Sequence, residues 1–361
     1  MKTQARFEIG YEQLVDPEGK PLAKRLPAFA RDAGEMVGMY RTMSLTRAFD
    51  ARAIALQRTG KLGTYASCLG HEATHVGVGA AMAKDDVLAP SYREYGAQFR
   101  RGVKPEQILL YWGGDERGND YTGGARGDFA WCVPIATQTL YSAGAALAFK
   151  TRGEKRAAVA FLGDGGTSEG AFYEALNVSG VWKLPVVFVV VNNRWAISVP
   201  LARQTAAETL AQKGIAAGVH GIQVDGNDII AVRKVAEEAL ARARAGEGPT
   251  LIEALTYRLS DHTTADDATR YRGTDEVKAA QAKEPFVRTR KYLESLGVWD
   301  DKKEQALAAE NKKTIEAAVK VYQETARSPV TAMFDDMYAE LPDDLREQRE
   351  AALGEEANDG R

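Results

Sequence analysis

GDGGTSEGAFYEALNVSGVWKLPVVFVVVNNRWAIS, residues 163–198, opens directly after the apolar run 157–162 and contains a second one, 186–191. Short apolar runs bounded by polar turn residues read as buried strands. Between them, residues 168–182 carry a helical pattern: Ala171, Ala175, Val178 and Trp182 fall at i, i+4, i+7 and i+11, a face that can lie against a sheet. Strand, crossover helix and strand make a parallel unit, which puts both carboxyl ends on one edge of the sheet. Gly163-Asp164-Gly165 stands at the first of those ends and Asn192-Asn193 at the second.

Such an edge suits a diphosphate. Glycines let backbone N–H groups approach, a helix N-terminus favours negative charge, and a divalent ion can bridge protein and phosphate. Asp164 offers a hard carboxylate oxygen and Asn193 a neutral amide oxygen, ligand types that Mg²⁺ accepts while keeping phosphate oxygens in its octahedron. Two other glycine-loop readings fail on the residues. A dinucleotide fingerprint needs glycine at 168 and an acidic residue after the second strand, where Ser168 and Asn192 stand. A P-loop needs Lys followed by Ser or Thr after Gly170, where Ala171 and Phe172 follow.

Outward from this unit, the pattern alternates. Helical segments are expected over 35–58, 70–84, 105–112, 136–149 and 229–245, and strands over 87–89, 221–224 and 251–257. Alternation of this kind predicts an α/β fold, a parallel sheet with helices on both faces. Residues 1–33, punctuated by Gly10, Gly19, Pro21 and Pro27, read as an irregular N-terminal arm before a domain over 34–295. Residues 296–361, with Pro329 and Pro342 separating charged helical stretches, read as a C-terminal helical extension. The glycine-rich and charged stretch 113–129 reads as a long loop.

The quoted stretch resembles the thiamine-diphosphate motif, which opens with Gly-Asp-Gly and closes with Asn-Asn about thirty residues on. More narrowly, most of the chain resembles the alpha chain of the decarboxylating component of 2-oxo acid dehydrogenase complexes, of pyruvate or branched-chain type. The resemblance implies the thiamine-diphosphate-binding fold, with thiamine diphosphate and Mg²⁺ as cofactors. By position it assigns the ion to Asp164, Asn193 and the backbone carbonyl of Trp195, and the diphosphate to Gly165 and Gly166. The segment SYRE places Tyr92 and Arg93 at a further strand end, where a Tyr-Arg pair of the family binds the diphosphate. In the segment 134–138, PIATQ, Ile135 matches a residue that contacts the aminopyrimidine through its backbone; Val133 is a second such position, and Thr137 and Gln138 match residues associated with a potassium ion in branched-chain members.

Residues 257–272, YRLSDHTTADDATRYR, follow the last expected strand and read as an exposed loop on the same edge. His262 is its candidate for acid, base or phosphate-donor chemistry, because imidazole changes protonation near neutral pH. Family members carry a histidine there that contacts the diphosphate and assists reductive acylation; the phosphorylated serine of mitochondrial relatives is Thr263 here. The implied activity is oxidative decarboxylation of a small 2-oxo acid, with pyruvate favoured over branched-chain acids, and transfer of the acyl group to the lipoyl domain of a dihydrolipoyl acyltransferase. The activating glutamate of the family belongs to a beta subunit, so an assembly of two alpha and two beta chains is expected.

One competing pattern is His71-Glu72-Ala73-Thr74-His75, an HExxH sequence that in zinc peptidases sets two imidazoles a helical turn apart, with Glu94 available as a third ligand. The longer metzincin form fails at Val78, where glycine is needed. Composition closes off other classes. The 361 residues carry 47 basic and 50 acidic side chains, a net charge of −3, so no basic footprint argues for a nucleic-acid partner. No apolar run nears the roughly 18 residues of a membrane helix, and residues 1–10 hold no signal-peptide core, so a cytosolic protein is expected. Cys68 and Cys132, the two cysteines, share no metal-ligand spacing and read as reduced thiols.

Overall fold

The computed structural model describes residues 1–335 and 337–358. Two compact units are present, Met1–Val319 and Lys320–Arg361. The first is built on a six-stranded parallel sheet: β1 (Gly10–Glu12), β2 (Val87–Ala89), β3 (Ala158–Gly163), β4 (Val186–Asn192), β7 (His220–Asp225) and β8 (Thr250–Leu255), in the order β1-β7-β8-β4-β3-β2. A small antiparallel hairpin, β5 (Trp195–Ala196) and β6 (Val199–Pro200), stands beyond β4.

Register follows the apolar alternation. In β3, Val159 and Phe161 face one core with Val187, Val189 and Val191 of β4, whereas Ala158, Ala160 and Leu162 face the other with Val186, Phe188 and Val190. Side chains of a strand alternate faces, so both faces of these strands must be apolar to be covered by helices. The first core is closed by α1 (Ala33–Arg58), α2 (Glu72–Ala81) and α8 (Ile229–Arg244). The second is closed by α5 (Thr137–Thr151) and α6 (Gly170–Trp182). Asp32 caps α1 by accepting from the amides of Gly34 and Glu35, and Asp228 caps α8 by accepting from those of Ile230 and Ala231.

The remaining helices of this unit are α3 (Tyr95–Arg101), α4 (Pro105–Trp112), α7 (Leu201–Gln204), α9 (Thr274–Gln281) and α10 (Pro285–Ser295), followed by α11 (Asp301–Glu324). The second unit carries α12 (Ala332–Asp335) and α13 (Asp343–Asn358). No described helix is long and apolar enough to cross a membrane.

Four expectations change. The N-terminal stretch is not wholly irregular, since Gly10, Tyr11 and Glu12 add an edge strand to β7. Residues 296–319 pack with the first unit, because α11 buries Leu307, Ile315 and Val319 and its Asn311 donates to Ser44 Oγ at 2.9 Å. The buried face of α6 is Phe172, Ala175, Leu176 and Ser179, with Ala171 and Val178 of the expected row partly buried against the same core, but the end of that row, Trp182, is half exposed. That helix also begins later than 168, because Asp164–Ser168 forms a 3₁₀ turn first. Stretch 113–129 does read as a connection, held by the short 3₁₀ turns Glu116–Asn119 and Gly123–Ala125 and by the buried pair Arg101–Asp128 at 2.8 Å.

Candidate active site

Carboxyl ends of four neighbouring strands converge on one edge. From β2 the chain passes through Pro90 to Tyr92 and Arg93, from β3 into Asp164, from β4 into Asn193, and from β8 into the loop that carries His262. Together with the entry to α5 they enclose a cavity of about 250 Å³. Tyr92, Arg93, Ile135, Asp164, Gly165, Gly166, Asn193, Trp195 and His262 all line it. Val133 does not; its side chain is half exposed outside the lining.

Small residues are required where β3 turns. A Cβ on Gly165 would sit 2.6 Å from Ala196 Cβ of the hairpin, and one on Gly166 would sit 3.3 Å from Leu162 Cδ1 and 3.4 Å from Ile135 Cγ2. The backbone around the cavity is also bent against its preferences: Ala136, Arg194 and Ile197 hold φ of 64°, 75° and 55°. For a β-branched residue such as Ile197 this is an outlier that neighbouring contacts must enforce.

Charges at the cavity are unpaired in a complementary way. Asp164 is 1% exposed; burial lifts its carboxyl above the ordinary range, against the Gln204 amide, whose Nε2 donates to Oδ2 at 2.8 Å. Asn193 Oδ1 accepts from the Trp195 amide at 3.2 Å, and the Trp195 carbonyl accepts from Arg258 Nη1 at 3.1 Å. Arg93 and Arg258 are 5% and 0% exposed. Among the described residues neither forms an ion pair with a carboxylate. Arg93 donates to the Ser67 carbonyl, and Arg258 Nη2 donates to the Ile197 carbonyl and the Tyr271 hydroxyl, both at 2.8 Å.

Both guanidiniums also meet His262. Arg93 Nη2 lies 3.2 Å and Arg258 Nη1 3.4 Å from its Nδ1. Guanidinium N–H groups only donate, so Nδ1 accepts and the ring proton resides on Nε2. Burial, then Arg93 and Arg258, push the His262 pKa down to about 3. The expectation of an imidazole titrating near neutrality is therefore corrected: with two cations against it, this ring is neutral and serves as an N–H donor. The loop around it is not simply exposed. His262 N donates to Asp266 Oδ2 at 2.8 Å, Tyr271 donates to the same oxygen, and Thr264 N donates to the Tyr65 carbonyl at 2.9 Å.

HExxH residues occupy α2 and the turn before it. Glu72 is fully buried and committed, accepting from Arg47 Nε at 2.8 Å and from the Gly70 amide at 2.9 Å. Among the described residues no group of three His, Cys, Asp or Glu side chains is placed to hold a metal. Gln138, matched to a potassium residue, donates through Nε2 to the Phe161 carbonyl at 2.6 Å, and its buried Oε1 has no partner among the described residues. Residues with no sequence signal of their own complete the site. Arg258 lay unremarked inside the loop 257–272, and Gln204 comes from a four-residue helix with no periodic pattern. Ser91 and Glu94 brace Tyr92-Arg93, with Glu94 accepting from the Ser91 amide at 2.7 Å.

A strand-edge cavity with unpaired buried Arg93 on one wall, Arg258 behind it, and an unpaired buried carboxylate on another wall defines an anion-and-cation site of an α/β enzyme. Residues 40–330 match the family model described as dehydrogenase E1 component. The chain is 44% identical over 349 residues to the 3-methyl-2-oxobutanoate dehydrogenase subunit alpha of Mycobacterium tuberculosis, covering 95% of this chain and 93% of that relative. It is 41% identical over 349 residues to the pyruvate dehydrogenase E1 component subunit alpha of Staphylococcus aureus, covering 96% and 93%. The chain belongs to the dehydrogenase E1 component family.

Proposed function

We propose that this chain is the alpha subunit of a thiamine-diphosphate-dependent 2-oxo acid dehydrogenase that decarboxylates pyruvate and passes the acetyl group to the lipoyl domain of a dihydrolipoyl acyltransferase. One observation carries the reading. The buried Asp164 carboxylate lacks a cation and buried Arg93 lacks an anion around a single cavity, and buried Arg258, also without an anion, stands behind its lining residues Trp195 and His262. A divalent ion bound to a diphosphate answers both needs at once.

The donor set fits Mg²⁺: a carboxylate oxygen from Asp164, an amide oxygen from Asn193 and the Trp195 carbonyl are all hard oxygens. That carbonyl has a second lone pair, so its bond from Arg258 does not remove it from the set. Gly165 and Gly166 let the backbone approach the phosphates, while Tyr92, Arg93 and the His262 Nε2–H hold them; Ile135 borders the aminopyrimidine, and Val133, outside the cavity lining, has no part in this set. When bound, thiamine diphosphate supplies the electron sink for decarboxylation. The protein positions it, excludes water with the apolar wall, and presents the reacting end to the loop 257–272.

A beta subunit belongs to this reading, because in the family the activating glutamate comes from that chain. Exposed Leu140, Tyr141 and Leu147 on α5, with Tyr173, Val181 and Trp182 on α6, support a large apolar interface. A second substrate, 3-methyl-2-oxobutanoate, is favoured by the 44% relative. Co-expression with a beta chain, followed by decarboxylation of pyruvate against 3-methyl-2-oxobutanoate with an artificial electron acceptor, decides between them. An assembly that neither retains thiamine diphosphate with Mg²⁺ nor decarboxylates either acid would overturn the proposal.

A further inference from the structure

One buried cluster at the cavity has no part in the roles above. His71 lines the cavity and is 1% exposed, and His75, one turn along α2, is 0% exposed. Their rings stand 5.5 Å apart at 81°. None of the four ring nitrogens has a hydrogen-bond partner among the described residues. A neutral imidazole carries one donor and one acceptor, and leaving them unmet in the interior is costly.

Neighbouring polar groups are already committed. Glu72 is held by Arg47 and the Gly70 amide, Glu94 by Ser91, and Arg93 by the Ser67 carbonyl and His262. Behind the pair, His75 abuts the Phe161 ring at 5.8 Å, so the cavity is the open side. His71 is also the N-cap residue of α2 and makes no capping bond, which leaves the positive end of that helix without a side-chain acceptor.

We propose that His71 is a further binding residue of this cavity, donating an imidazole N–H to an anionic oxygen of the occupant, with His75 as the positioning residue behind it. The inference rests on the function proposed above. A neutral donor suits a wall that already holds the Arg93 guanidinium with Arg258 behind it; burial, then the neighbouring His75, Arg93 and Arg258, keep His71 unprotonated, and burial with Arg93 does so for His75. The oxygen belongs either to a phosphate of the cofactor or to the carboxylate of the 2-oxo acid, and the two sources separate by experiment.

The test uses the assembled alpha and beta chains carrying His71→Ala, His71→Gln, His71→Met or His75→Phe. Dissociation constants for thiamine diphosphate with Mg²⁺, KM and kcat for pyruvate, and thermal midpoints are measured for each. Loss of a hydrogen bond to a charged oxygen predicts a change of roughly tenfold or more for His71→Ala and His71→Met, with His71→Gln retaining most of the affinity. A raised cofactor dissociation constant identifies a phosphate oxygen; a raised KM with the cofactor constant intact identifies the carboxylate. His75→Phe shifts the same constant in the same direction by less, and no shift removes its positioning role. Should His71→Ala fail to assemble, the Gln and Met variants decide alone. Unchanged constants, or Gln and Met behaving alike, overturn the proposal. If wild-type assembly neither binds thiamine diphosphate nor decarboxylates, the functional reading fails instead, and equilibrium binding of inorganic diphosphate and of pyruvate to wild type and His71→Met still judges His71.

Discussion

Gln204 Nε2 donates to Asp164 Oδ2 at 2.8 Å, the one side-chain hydrogen bond on a carboxylate that is 1% exposed. A neutral amide cannot offset a buried negative charge, so the carboxylate is held at a cost in the free chain. Asp164→Asn should therefore leave the fold intact, with an unchanged or higher thermal midpoint, while abolishing Mg²⁺-dependent retention of thiamine diphosphate. Retention equal to wild type in a dialysis assay would remove Asp164 from the ion site.

Gly165 faces the hairpin at a distance that leaves no room for a methyl group. In Gly165→Ala the new Cβ would meet Ala196 Cβ at 2.6 Å, and neither atom can rotate away. Overpacking of this kind costs about 1–3 kcal/mol. The hairpin that carries Trp195 should shift, lowering the unfolding midpoint in urea and weakening cofactor retention together; a stable variant with native retention would contradict the close approach.

Ile197 makes the opposite case. Its φ of 55° is unfavourable for a branched side chain that is 55% exposed, so Ile197→Gly removes strain at the expense of little buried area. A left-handed conformation at a non-glycine residue costs roughly 1–2 kcal/mol, partly offset by the greater chain entropy of glycine. Thermal melting should show a stability no lower than wild type, whereas the apparent affinity for the 2-oxo acid should fall as the cavity loses part of its wall.

Histidine burial gives a pH signature. The His75 pKa is lowered from 6.5 to about 3, first by burial and then by Arg93. A depressed folded value means the unfolded chain binds the extra proton first, so this contribution to stability is complete above about pH 6.5 and is lost as pH falls toward 3. Each such group contributes about 1.4 kcal/mol per pH unit inside that window. His75→Gln should flatten the dependence of unfolding free energy on pH between 6.5 and 4 by close to one proton; an unchanged slope in denaturant titrations would contradict it.

The strand ends were legible because their chemistry is local. Asp164 and Asn193 follow apolar runs that can only be buried strands, and Tyr92-Arg93 follows a third. What stayed hidden depends on long-range packing. Arg258 looks like one of several charges in a polar segment, yet it is fully buried because the carbonyls of Trp195, Ile197 and Ser260, the Tyr271 hydroxyl and His262 Nδ1 converge on it. His71 and His75 matched a zinc pattern, and the tie of Glu72 to Arg47, with no third ligand-type side chain placed beside the pair among the described residues, shows why that pattern is coincidental. On α6 the expected face departs only at its end, Trp182, because the helix is apolar on several sides, with Tyr173, Val181 and Trp182 outward.

Strand order carries a consequence for how the chain is made. The last strand to leave the ribosome, β8, fits between β4 and β7, and the first, β1, pairs only with β7. Until residue 255 has emerged, two apolar sheet fragments wait with bare edges, an invitation to sticking between nascent chains. Assembly of the sheet, and with it of the cavity, is thus deferred until β8 has emerged, a delay during which chaperone cover would decide the yield.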